Sequence, residues 1–81
     1  MNNDEIRAVV VETLKEIAPE VEDGDLRPDR PLRDQVDLDS MDWLNFLVAL
    51  HQRLKVDIPE TDYRKLVTLD AVVAYLAQKG V

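Results

Sequence analysis

Asp37-Leu38-Asp39-Ser40-Met41-Asp42 places one hydroxyl among carboxylates where the strongest helical pattern of the chain begins. Nucleophilic catalysis would need a strained turn and a base within reach. No Gly-x-Ser-x-Gly elbow surrounds Ser40, and His51, the single histidine, lies about three turns along the same helix. Asp37-x-Asp39 copies the opening of a calcium-binding loop. However, Asp42 stands at its sixth position, where glycine makes the turn, and Val48 at its twelfth, where glutamate closes the site. With no cysteine and one histidine, thiolate and imidazole metal sets are excluded. The remaining chemistry is modification of Ser40 itself. A hydroxyl at a helix start, after a surface loop, is open to a second enzyme.

Four helices must position that serine. Ile6, Val9, Val10, Thr13, Leu14 and Ile17 recur at three- and four-residue steps, which predicts a helix over about residues 3–17. Asn2 and Glu5 have the spacing of a capping box, and Pro19 marks the stop. Residues 18–38 show neither helical nor strand period, and Pro19, Gly24, Pro28 and Pro31 break any element there. This long loop still carries Val21, Leu26, Leu32, Val36 and Leu38, which should pin it to the helices. A second helix runs over 40–54, with Asp39 or Ser40 as N-cap. Pro59 opens a short third helix to about Leu66. Thr68 caps a fourth, whose inward face is Leu69, Val72, Val73 and Leu76. No alternating strand pattern occurs. The expected fold is all-α, a small four-helix bundle of three main helices and one short one, with a long loop between the first two. It forms a single domain over 1–81.

On a wheel of about 100° per residue, Trp43, Phe46, Leu47, Leu50 and Leu54 share one arc of the second helix, its core face. Asp42, Asn45, Ala49, Gln52 and Arg53 form the wet face. Met41, Leu44 and Val48 make a third arc running down from Ser40. A helix burying one face has no use for this second apolar stripe, so the stripe is expected to meet a partner unless the long loop folds over it. His51 is expected to be a solvated helix residue.

An 81-residue chain folds as one domain with a narrow stability margin, too small to enclose a deep catalytic cleft. The net charge of -7 is unevenly placed. Residues 1–39 hold 12 acids against 5 bases, whereas residues 40–81 hold 5 of each. That surface repels nucleic acid and anionic membranes and attracts basic protein patches. No apolar run is long enough to span a bilayer, and Met-Asn-Asn-Asp-Glu lacks the features of a signal peptide. A cytoplasmic protein is expected.

These residues resemble the acyl carrier proteins. Asp39-Ser40-Met41 matches their Asp-Ser-Leu attachment motif with Met in the Leu position. Leu47-Val48-Ala49-Leu50 resembles the middle of the family's recognition helix, and Ile58-Pro59-Glu60-Thr61-Asp62 the turn into its third helix. Leu66-Val67-Thr68-Leu69 followed by Ala71-Val72-Val73-Ala74-Tyr75-Leu76 resembles its closing helix. The pieces occur in order, at family spacing, over nearly the whole chain. The resemblance implies a non-enzymatic carrier. Ser40 would bear 4'-phosphopantetheine delivered from coenzyme A by a phosphopantetheinyl transferase, with Asp39 and Met41 flanking it. Acyl groups held on the arm as thioesters would be presented to acyl-loading and acyl-transfer enzymes of fatty-acid, polyketide or related metabolism. Asp39, Met41, Asp42, Leu44 and Val48 would contact those partners, and Trp43, Phe46, Leu47, Leu50 and Leu66 would line an acyl pocket. A free-standing monomer is expected.

The chain also departs from the family. Residues 40–66 hold 4 acids and 4 bases, where recognition helices are commonly acidic. Asn45 occupies a position where the family commonly has glutamate, and His51-Gln52-Arg53 stand where an acidic run is common. Asp37 lies near the place of a frequent glycine. A specialised carrier is expected, whose partners use Met41, Leu44 and Val48 more than charge. The bulk of Trp43, one turn from Ser40, would favour short or polar acyl groups, or simply fill the core. A peptidyl or D-alanyl carrier remains open, as does an unmodified helical interaction module.

Overall fold

The computed structural model describes residues 1–81, the side chain of Asp23 excepted. Four α-helices follow in order: α1 (Asn3–Ile17), α2 (Leu32–Gln35, a single turn), α3 (Ser40–Leu54) and α4 (Leu69–Gln78). Short 3-10 segments occur at Asp23–Asp25 and Glu60–Lys65. α1 lies against both α3 and α4. No strand occurs among the described residues, only an isolated antiparallel bridge between Pro31 and Thr68.

The starts of the three long helices follow from side chains that accept otherwise unpaired amides. At α1 the capping box forms in full: Glu5 N–H donates to Asn2 Oδ1 at 2.8 Å, and Asn2 N–H to Glu5 Oε1 at 3.2 Å. α1 ends where Ala18 N–H donates to the Leu14 carbonyl at 2.8 Å, one residue before Pro19. Its buried face is Ile6, Val10, Val11, Thr13 and Leu14. Val11 replaces the expected Val9, which is only half-buried, because α1 serves two neighbours and its apolar arc is correspondingly wide.

The long loop corrects the expectation of an element-free segment, since Pro31 leads into the helical turn α2. Too short to show a period in sequence, that turn is held by tertiary bonds. Leu32 N–H donates to the Val67 carbonyl at 2.9 Å, and Asp70 N–H to the Pro28 carbonyl at 3.1 Å. Gln35 ties the loop to itself: its Oε1 accepts from Arg27 N–H at 2.6 Å, and its Nε2 donates to the Arg27 and Arg30 carbonyls at 2.8 and 3.0 Å. The five apolar loop residues pin it as expected. Val21, Leu26, Leu32, Val36 and Leu38 are all buried in the common core.

Two polar side chains of α3, exposed as expected, are also held by hydrogen bonds. Arg53 reaches from the wet face of α3 across to α1, where it pairs with Glu16 and donates to Thr13 Oγ1 at 3.2 Å. Thr13, fully buried, donates in turn to the Val9 carbonyl at 2.7 Å. His51 is exposed but engaged: its Nδ1 lies 2.6 Å from the Val56 carbonyl, so Nδ1 carries the proton and donates across the end of α3. There Lys55 turns the chain with φ 53°, a left-handed conformation that a non-glycine residue adopts at some cost.

The expected third helix is the 3-10 segment Glu60–Lys65. It is latched to α4 by Tyr75, whose hydroxyl donates to Asp62 Oδ2 at 2.7 Å. Burial, and then the Asp62 carboxylate, push the Tyr75 phenol from 10.0 up to about 12. The Tyr75 hydrogen bond, aided by Lys65, holds the Asp62 carboxyl below its ordinary value against the opposing effect of burial.

Candidate functional site

Asp39 is the N-cap of α3. Its backbone is extended, and its Oδ1 accepts from Asp42 N–H at 2.8 Å. That resolves the choice of cap: Asp39 takes the role and Ser40 becomes the first helical residue. The first bond of the helical ladder runs from Trp43 N–H to the Asp39 carbonyl at 3.0 Å, so the amides of Ser40 and Met41 precede it. Ser40 is exposed. Its hydroxyl therefore stands at the positive end of a 15-residue helix, free of capping duty because Asp39 performs it.

Leu38 anchors this corner. It is 6% exposed and carries the approach to Ser40 down into the core, while Asp37 and Asp39 on either side remain at the surface. Asp42, half-buried, closes the first turn through its own backbone amide.

The third arc of α3 lies in the open. Met41 is 66%, Leu44 40% and Val48 41% exposed, so the loop does not fold over them. The core arc divides. Phe46, Leu47 and Leu50 are fully buried, whereas Trp43 and Leu54 are only partly buried against the core. The Trp43 ring sits 5.2 Å from that of Phe46, tilted by 37°.

The five residues expected to line an acyl pocket do not surround one space. Trp43 and Leu66 share a cleft of about 190 Å³ with Pro31, Arg33, Tyr63, Arg64 and Val67. Leu47 lines a second cleft, about 160 Å³, with Val48, His51, Asp57, Ile58 and Tyr63. Phe46 and Leu50 line neither and are packed at 0% exposure. A roomier cleft of about 320 Å³ in the loop, lined by Glu20, Glu22, Asp25 and Asp37 among others, includes none of the expected site residues.

Sequence reasoning missed Arg33, Tyr63, Arg64 and Val67. Val67 is 46% exposed between buried Leu66 and half-buried Thr68. Nothing periodic marks these residues, because they converge from α2, the 3-10 segment and the turn before α4. The only signal was composition, a hydrophobic and two arginines outside any predicted face.

A family described as "phosphopantetheine attachment site" matches residues 4–76. The acyl carrier protein of Campylobacter curvus is 31% identical over 77 residues, covering 95% of this chain and 94% of the relative. That of Helicobacter hepaticus is 30% identical over 71 residues, covering 88% and 87%. The solution structure of a protein from Anaplasma phagocytophilum, assigned to the acyl carrier proteins, superposes with a TM-score of 0.85 at 28% identity. That match covers 100% of this chain and 94% of its counterpart.

Proposed function

The chain belongs to the acyl carrier proteins, and from that premise we propose that Ser40 is the residue bearing the 4'-phosphopantetheine arm. The family membership means a carrier of acyl groups with a covalent phosphopantetheine. The observation that carries the choice of Ser40 is the division of labour at the start of α3, where Asp39 caps and Ser40 is left exposed.

The local chemistry fits the group. A phosphodiester at Ser40 would be an anion beside the leading amides of α3, where helix ends favour negative charge. Asp39 opposes that charge, but its Oδ1 is turned back onto Asp42 N–H. The arm supplies the thiol that this cysteine-free chain lacks, on which an acyl group is held as a thioester. The chain's own work is to fix Ser40 at a rigid corner and keep its hydroxyl accessible to a transferase. It presents a substrate and performs no transformation.

Met41, Leu44 and Val48, running down from Ser40, form the surface that loading and acyl-transfer enzymes read, with Asp39 and Asp42 at its edge. Three apolar side chains exposed in one line on a folded helix support this. The neutrality of residues 40–66 makes that surface depend less on charge than on shape. We read the protein as a cytoplasmic monomer. Among the described residues, no helix is long and apolar enough to cross a membrane.

The test is incubation with coenzyme A and a broad-specificity phosphopantetheinyl transferase, followed by intact mass. The wild type gains one arm and Ser40→Ala none. An arm gained by Ser40→Ala, or none gained by the wild type with several transferases, removes the reading.

A further inference from the structure

The cleft beside Trp43 has a fixed frame. Pro31 and Arg33 come from the start of α2, held to the opposite wall by the Leu32 N–H bond to the Val67 carbonyl and by the Pro31–Thr68 bridge. Tyr63 and Arg64 come from the 3-10 segment, latched to α4 through Tyr75 and Asp62 at 2.7 Å. Trp43 comes from α3, one turn from Ser40. The walls are aromatic and aliphatic, and the two charged residues lining the cleft are both arginines.

Neither arginine side chain is engaged by a carboxylate. Arg33 and Arg64 are exposed without a side-chain partner among the described residues. Two guanidinium groups therefore stand on one aromatic cleft with no carboxylate of the chain to neutralise them. A purely alkyl occupant would gain nothing from them. A carboxylate matches a guanidinium fork in shape and charge. The size of the cleft sets the length of the occupant. At about 190 Å³ it falls below the ~300–1,000 Å³ of sites for larger ligands, and Leu66 in its wall is 1% exposed, packed into the core.

We propose that this cleft seats a short acyl group ending in a carboxylate, its methylenes against Trp43, Tyr63 and Leu66 and its terminal carboxylate on Arg33 and Arg64. The inference rests on Ser40 as the attachment point, because a tethered cargo is what brings an acyl group to a cleft one turn away. The tether also explains how so shallow a cleft can work: the cargo's local concentration is set by the arm and does not require high intrinsic affinity.

Trp43 is the sole tryptophan, so its fluorescence reports this cleft alone. Ser40 is loaded by a transferase with coenzyme A, or with stable amide analogues carrying a succinyl or a butyryl group. Loading is verified by intact mass, and acrylamide quenching is then measured. The succinyl form should be quenched about two- to fivefold less than the butyryl and unacylated forms, as suits an exposed ion pair. The difference should disappear in the R33Q/R64Q variant and shrink at high salt. Both arginines are exposed, so the variant keeps its fold, which circular dichroism checks. R33K/R64K, keeping charge without the fork, should retain part of the protection.

Equal quenching of the succinyl and butyryl forms overturns the proposal, as does a succinyl effect that survives in R33Q/R64Q. Protection already complete in the unacylated form and lost in R33Q/R64Q would place the arginines on the arm's phosphodiester, which also overturns it. Failure of loading shows in the mass before any fluorescence is read. That outcome removes the attachment reading and this inference with it, whereas loading without discrimination removes this inference alone.

Discussion

α3 and α4 begin with the same device and end up with opposite surroundings. In each, a side-chain oxygen accepts the amide three residues on: Asp39 from Asp42 at 2.8 Å, and Thr68 from Ala71 at 3.0 Å. The start of α4 is then covered. Asp70 donates to the Pro28 carbonyl, Thr68 bridges to Pro31, and Leu69 is 1% exposed. The start of α3 is left open, with Ser40 exposed and Met41 66% exposed. The cap fixes where a helix begins, but the long loop determines whether that beginning can be reached. Here the loop makes its hydrogen bonds to the start of α4 and leaves Ser40 exposed.

Loosening the loop where it covers α4 tests this contrast between the two helix starts most severely. Leu32 is fully buried, and its amide donates to the Val67 carbonyl. Leu32→Ala should cost about 2–5 kcal/mol, the usual range for a large buried aliphatic side chain cut to alanine, measured by urea denaturation. In a domain of this size that is a large share of the total. A cost under about 1 kcal/mol would mean that the cover on α4 is incidental.

The caps come next. Asp39→Ala and Thr68→Ala should each destabilise by about 1 kcal/mol, and Asp39→Asn by only a few tenths, since asparagine caps as well as aspartate. The pair tests whether the two starts are locally equivalent. If Asp39→Asn cost as much as Asp39→Ala, the role of Asp39 in the folded chain would be its charge and not its cap.

The helices were legible because their signals are local and redundant. Asn2, Asp39, Thr68, Pro19 and Pro59 stand where starts and stops occur, and the apolar steps of α4 leave little choice of face. The exposed stripe was equally legible, because Met41, Leu44 and Val48 cannot share an arc with Phe46 and Leu50. Two kinds of feature were hidden. α2 is a single turn, stabilised by a bond from Leu32 to Val67 and not by any pattern of its own. The Trp43 cleft gathers Arg33 and Arg64 from segments about thirty residues apart in the chain, a proximity no local rule encodes. His51 and Arg53 are exposed on α3 as expected, but their hydrogen bonds were hidden for the same reason, as the partners, Val56 and Glu16, lie beyond the ends of α3.

A subtler difference between the two helices is the phenol that latches α4. The folded state raises Tyr75 from 10.0 to about 12, so it holds the phenol proton more tightly than the unfolded chain does. The associated stability is fully present below pH about 10 and is lost as the pH rises through about 12. Tyr75→Phe should therefore flatten the alkaline limb of a stability–pH profile. Asp62 has the opposite sense: its lowered carboxyl contributes above its ordinary value of 3.8, and that contribution fades as the pH falls below it. An alkaline limb unchanged in Tyr75→Phe would place the latch outside the folded state's energetics.

The smallest expected effect is the most informative about function. Leu44 and Leu47 are neighbours on α3, one 40% exposed and the other 1% exposed. Leu47→Ala should cost several kcal/mol, whereas Leu44→Gln should shift stability by no more than about 0.5 kcal/mol, because it removes little that the fold itself uses. With the fold intact, any slowing of Ser40 loading or of transfer by a partner enzyme in Leu44→Gln is then a loss of contact between two proteins. A loss of more than about 2 kcal/mol in Leu44→Gln would mean that the chain itself covers the stripe in solution. The open start of α3 would then be closed like that of α4, and the contrast between them would collapse.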